Sequence, residues 1–106
     1  KIIKKLKKYS KHNIYIYSSG INGLVFYNVL KNNSFSINGF IDDNKNLIKG
    51  NIIKTKIYDF SKIQKKFFIK KKDLILISNQ NPDIVRNIKK KIKNRFKKID
   101  ILSLNI

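Results

Sequence analysis

Apolar residues in this chain gather into short runs set between polar breaks, and the runs read as strands or helices by their spacing. Ile14 to Tyr17 form a wholly apolar, β-rich run that ends at Ser18-Ser19-Gly20. Ser36 to Ile41 (SINGFI) form a second strand, running into Asp42-Asp43-Asn44. NIIKTKIYD suggests two short extended pieces around Thr55, Leu74 to Ile77 another buried strand, and Ile99 to Leu102 a last one. Between the strands the spacing turns helical. Gly23 to Lys31 carry Leu24, Val25, Tyr27, Val29 and Leu30, and Asn32-Asn33-Ser34 stops that helix. Asp59 can cap a helix whose apolar positions are Phe60, Ile63, Phe67 and Phe68. The firmest start signal is Asn81 as cap, Pro82 at the first helical position and Asp83 at the positive end of the dipole. That helix is expected to bury Ile84, Ile88, Ile92 and Phe96 beneath a face of lysines. Before all this, Ile2, Ile3, Leu6 and Tyr9 stand at helical spacing in a lysine-rich lead-in. The lead-in reads as a short amphipathic helix, as the basic flank of something upstream, or as a ragged solvated terminus.

Alternation of strands and helices, with strands apolar throughout, indicates a parallel sheet covered on both faces. Right-handed crossovers then favour an α/β, Rossmann-like three-layer domain. Its mostly parallel sheet has about five strands in the order 3-2-1-4-5, with helices on both faces. We divide the chain into a basic lead-in or linker, residues 1–12, and a Rossmann-like nucleotide-binding domain, residues 13–106.

Composition changes this picture little. The chain has 106 residues, 42% of them hydrophobic and 11% aromatic, enough for one small core. It has no cysteine, so disulfides and thiolate metal sites are excluded. No apolar stretch comes near the roughly 18 residues that span a bilayer. Starting at Lys1 rather than Met, it is expected to be a soluble piece of a longer polypeptide. The net charge of +19 invites a nucleic-acid reading, yet only two of the 25 basic residues are arginine, the better base and phosphate ligand. Ala, Glu, Met and Trp are missing, while Lys, Asn, Ile, Phe and Tyr abound. This is the bias of A/T-rich codons, which drives surface positions to lysine whatever the function. Nucleic acid is therefore not the expected partner, and a basic nucleic-acid-binding module stands as the last of the rival readings.

The chemistry concentrates after the first strand. A dinucleotide fingerprint uses three glycines for a tight turn, for close approach of a pyrophosphate, and for helix–strand packing. Here the pattern runs Ser18-Ser19-Gly20-Ile21-Asn22-Gly23, with serine in the first position. Gly20 would admit phosphate to the backbone and to the helix N-terminus, and the Ser18 and Ser19 hydroxyls could add donors. Asp42, flanked by Asp43, follows the second strand where a ribose-binding carboxylate is expected. Ser78 and Asn79 border the same crevice from the strand across the switch point. Two glycines and an aspartate also arise in a purely structural turn, and both readings stand on these residues alone.

The order of motifs from about Asn13 onward resembles one family. YSSGING, GFIDDN at Gly39 to Asn44, IKGNIIKTKIYDFSKI, LILIS and the closing ILSLNI together look like the N-terminal Rossmann-like domain of membrane-anchored nucleotide-sugar dehydratases/epimerases of polysaccharide biosynthesis. Ser18 stands where that family has glycine, and Ser103 where it often has proline. The resemblance implies a non-catalytic nucleotide or nucleotide-sugar domain. In the parent it would sit between a transmembrane region and a catalytic short-chain-dehydrogenase-type domain, on the cytoplasmic face of the membrane. It leaves open whether the ligand is a nucleotide, a UDP-sugar or NAD(P), and it admits a homodimer. The glycine turn and FIDD are also similar to the UDP-sugar-binding N-terminal domain of sugar acyltransferases. A third reading is a structural or dimerising module with a decayed site.

No catalytic constellation stands out. His12 has no evident carboxylate partner, the G-x-S-x-G elbow is absent, and Asp42 and Asp43 lack a third metal ligand. Tyr15 and Tyr17 read as core or sheet-face residues.

Overall fold

The computed structural model describes residues 2–18, 20–43, 55–64, 67 and 73–103. Helix α1 (Ile2–Leu6) leads through a 3-10 turn (Lys7–Tyr9) into β1 (Asn13–Tyr17), α2 (Ile21–Asn32) and β2 (Ile37–Asp42). Next come β3 (Ile57–Asp59), a 3-10 turn (Phe60–Lys62), β4 (Asp73–Ile77), α3 (Pro82–Arg95) and β5 (Asp100–Ser103). The strands form one sheet in the order β3-β2-β1-β4-β5, every pairing parallel. This is the expected architecture.

Alternating side chains of the central strands feed two cores, one on each face of the sheet. Ile14, Ile16, Phe40, Leu74 and Leu76 meet Leu6, Phe26 and Leu30 on the face covered by α1 and α2. Tyr15, Tyr17, Ile41, Ile75 and Ile77 meet Phe60, Ile63, Ile92 and Phe96 on the other. Leu6 is fully buried, so the lysine-rich lead-in packs as an amphipathic helix on the first of these layers. Burial of one such leucine contributes about 2 kcal/mol.

Local signals explain the ends of the elements. Asn81 accepts hydrogen bonds from the backbone N–H groups of Asp83 and Ile84, and Pro82 opens α3, as expected. Helix α2 stops in a Schellman motif: Phe35 N–H donates to the Leu30 carbonyl and Ser34 N–H to that of Lys31. Ser34, at φ 65°, occupies the left-handed position usually given to glycine, and Phe35 packs in the same core as Leu30. Gly39 of GFIDD lies under the Tyr58 ring, where an added Cβ would come 2.7 Å from Cε2.

Three expectations are corrected. The segment after Asp59 is a 3-10 turn, and Ile63 is already extended at ψ 125°, so no α-helix runs from Phe60 through Ile63. The carbonyls of Phe60, Ser61 and Ile63 instead accept from the Arg95 guanidinium. Phe68 and the first extended piece before Thr55 lie outside the described residues. Ile84 is 44% exposed: the face of α3 turned to the core runs through Val85, Ile88 and Ile92 instead. His12 does have a carboxylate neighbour, its Nε2 lying 3.9 Å from Asp100 Oδ2.

Candidate functional site

Parallel register gathers most of the candidate residues at one end of the sheet. Tyr17 pairs with Ile41 on one side and with Ile77 on the other, so the chain leaves β1, β2 and β4 at the same level. Ser18, Asp42-Asp43 and Ser78-Asn79 follow directly. From β1 the chain turns back over one face and from β4 over the other, and the crevice between them is the topological switch point.

The β1–α2 turn opens at Ser18, the first position of the glycine pattern. Ser18 has φ 85°, a left-handed conformation disfavoured for a side chain with a Cβ. Its N–H donates to the Ile41 carbonyl at 2.7 Å, which ties the turn to β2. Ser78 is fully buried, and its hydroxyl donates to the Tyr17 carbonyl at 3.0 Å and to that of Ser18 at 3.4 Å. Ser78 thus holds the turn from below rather than presenting its hydroxyl to the crevice. Ser19 lies outside the described residues.

Gly20 is the N-cap of α2 and, having no side chain, makes no side-chain cap. The first intrahelical bond is Leu24 N–H to the Gly20 carbonyl at 3.0 Å. The N–H groups of Ile21, Asn22 and Gly23 are therefore left without helical acceptors. A Cβ built on Gly20 would meet none of the described residues within 4 Å beyond its chain neighbours. Gly23 is the opposite case. Its Cβ would fall 2.3 Å from the Ser18 carbonyl oxygen, so only glycine lets the helix sit this close to the turn. Asn22 is half-buried in the first turn, and Ile21 is 81% exposed at the mouth.

The two carboxylates at the end of β2 are in different situations. Asp42 is buried at the strand end. Asp43 is exposed and accepts from the Tyr17 hydroxyl at 3.1 Å and from Lys91 Nζ at 2.5 Å. Burial first, then the Asp43 carboxylate, pushes the Tyr17 phenol far above its ordinary range, so the hydroxyl stays a donor. Lys91 also lies over the Phe60 ring, 4.8 Å from its centroid. Lys91 is the residue that sequence reasoning missed; a lysine in a helix face of lysines carries no local mark. Asn79 accepts from Asn81 N–H at 2.8 Å and shapes the β4–α3 loop. Among the described residues no group of three or more His, Cys, Asp or Glu side chains could hold a metal, and no helix is long and apolar enough to cross a membrane.

An open parallel sheet in this order, wrapped by helices on both faces, is a Rossmann-like domain. The crystal structure of RSP in complex with β-NADH has this fold over 98% of the present chain, with a TM-score of 0.60 and 14% sequence identity. The chain spans 58% of the length of RSP. No protein-family model and no curated protein matches the chain.

Proposed function

We propose that this chain is a non-catalytic domain that binds a nucleotide, with the phosphates on the open N-terminus of α2. Its parent would be a nucleotide-sugar 4,6-dehydratase or epimerase of surface-polysaccharide synthesis, working at the cytoplasmic face of the membrane through a separate short-chain-dehydrogenase-type domain. One observation carries the binding part: three N–H donors at a helix start, with a glycine as N-cap and, its chain neighbours aside, no described residue within 4 Å of the Cβ position of that glycine. Such a terminus attracts anions through its free donors and its dipole. Asp42 would receive ribose hydroxyls, and Asp43, already engaged by Tyr17 and Lys91, would flank it. The motifs YSSGING and GFIDDN support the parent assignment. The likeness to RSP, solved with β-NADH, makes a dinucleotide the first ligand to try.

Substituting Gly20→Asp separates binding from folding. An aspartate there has room, can cap α2, and puts a negative charge where the phosphate would sit. Calorimetric titration of NADH and of a UDP-sugar should give saturable binding to the natural chain, weakened more than about tenfold by the substitution. Thermal stability should be equal or slightly higher. Absence of saturable binding by the natural chain would reject the reading. The parent assignment has its own test in the adjoining coding sequence, where a second glycine-rich fingerprint and a Tyr-x-x-x-Lys pair are expected downstream.

A further inference from the structure

One cavity lined by described residues lies away from the switch point. It has a volume of about 550 Å³ and opens beside β3, the outermost strand on that side of the sheet among the described residues. Two inter-strand spacings and half of a third separate that edge from the β1–β4 boundary, roughly 12 Å. Lys56, Tyr58, Lys62, Ile63, Gln64 and Phe67 form its main lining. The volume falls within the range of small-molecule sites.

The lining combines two chemistries. Tyr58 and Phe67 stand 5.1 Å apart, centroid to centroid, with planes tilted by 58°, and Tyr15 packs edge-on against both. Ile63 adds an aliphatic surface, so a planar ring entering here meets aromatic and apolar groups. Lys56 and Lys62 are exposed at the same cavity. Lys56 Nζ lies 4.9 Å from the Tyr58 centroid, and no ion pair among the described residues engages either lysine. The lining carboxylate, Asp59, is turned to the 3-10 turn, accepting from Ser61 N–H at 3.0 Å and from Ser61 Oγ at 2.7 Å. Aromatic walls with two ammonium groups and an amide suit a flat ring that carries negative charge.

We propose that this cavity is a second binding site, separate from the helix-terminus crevice, for a small molecule with a planar aromatic ring and an anionic substituent. The ring stacks against Tyr58 and Phe67, and the anion sits between Lys56 and Lys62 with Gln64 at its side.

Anilinonaphthalene sulfonate, an aromatic sulfonate whose fluorescence rises in apolar surroundings, is a direct probe. Titrated into the natural chain, it should bind saturably at one site. The exposed double substitution Lys56→Gln/Lys62→Gln should weaken it about tenfold, the effect of two modest charge contacts. Gln64→Trp, which narrows the cavity from an exposed position, should weaken it at least as much. Lys89→Gln/Lys97→Gln removes the same charge from α3 and the turn after it, and should leave the affinity unchanged. Near-ultraviolet circular dichroism confirms that each variant is folded. The proposal is overturned if the probe does not saturate, if the α3 control weakens it equally, or if Gln64→Trp has no effect. Competitive displacement of the probe by NADH would place it in the crevice and overturn the second site, whatever the fate of the nucleotide reading.

Discussion

Replacing Ser18 by glycine should make this protein more stable, although it removes a side chain. Ser18 holds φ 85° because the turn from β1 into α2 requires it. A residue with a Cβ in the left-handed region is disfavoured by about 1–2 kcal/mol. Glycine relieves that strain but loosens the unfolded chain, which costs about 0.5–1 kcal/mol. The contacts that fix the turn are all main-chain: Ser18 N–H to Ile41, and the Ser18 carbonyl accepting from Ser78. They survive the substitution. Among the described residues the Ser18 hydroxyl has no hydrogen-bond partner, so nothing else is lost.

The balance is a gain of about 0.5–1 kcal/mol, or a melting temperature raised by about 2–8 °C for a domain of this size. Thermal melts followed by circular dichroism measure it, with urea unfolding to confirm an unchanged m-value. Ser18→Ala keeps the strain and removes the hydroxyl, and should be close to neutral. A lower melting temperature for Ser18→Gly beside a neutral Ser18→Ala would refute the strain argument. Loss of stability in both would show instead that the hydroxyl is bonded.

Gly23→Ala should act in the other direction, because its Cβ would fall 2.3 Å from the Ser18 carbonyl oxygen; we expect a loss of about 1–3 kcal/mol in denaturant unfolding. Arg95→Gln removes the guanidinium that binds the carbonyls of Phe60, Ser61 and Ile63, and should lower stability by about 1.5–3 kcal/mol and speed amide exchange in the 3-10 turn. The Tyr15 and Tyr17 phenols are both raised above their usual value of 10.0, chiefly by burial, with Asp73 adding at Tyr15 and Asp43 at Tyr17. Above about pH 10 the unfolded chain therefore releases protons that the folded chain keeps, so their contribution is complete below pH 10 and is lost as pH rises beyond it. Absorbance at the phenolate band should show these two tyrosines ionising only as the fold is lost, and free ionisation in the folded chain would contradict their burial.

What the sequence disclosed and what it hid divide along physical lines. Strands buried on both faces must be apolar throughout, so Ile14–Tyr17 and Leu74–Ile77 were legible as runs. The strand order then followed from crossover handedness. The helix after Asp59 was misread because Phe60 and Ile63 suit the first turn of a helix as well as a 3-10 turn whose next residue is extended. The deciding partner, Arg95, lies in another element, and a local window contains no sign of it. Asp43 with Lys91 is the same kind of case, a pair 48 residues apart joined only by the fold. Ile84 shares the four-residue spacing of Ile88 and Ile92, but its neighbour Val85, three residues before Ile88, fits the same stripe and is the one that packs. His12 and Asp100 meet because β1 and β5 both start at the end of the sheet away from the crevice.

The serine at position 18 bears on the question of a decayed site, though not in the way its chemistry first suggests. A turn no longer under any demand could relax, and Ser18 would leave the left-handed region. Instead the conformation is kept against its strain by Ser78 beneath it and Ile41 beside it, while Gly23 keeps the helix close. The left-handed backbone at position 18 is therefore kept although the residue least strained there, glycine, is missing. Packing alone accounts for Gly23, which would be needed in a purely structural turn. It does not account for Gly20, whose missing Cβ would touch nothing. Among the described residues Gly20 is thus the glycine of this turn that packing leaves unexplained, and Gly20→Asp, rather than any change at Ser18 or Gly23, is the substitution that tests nucleotide binding at the crevice.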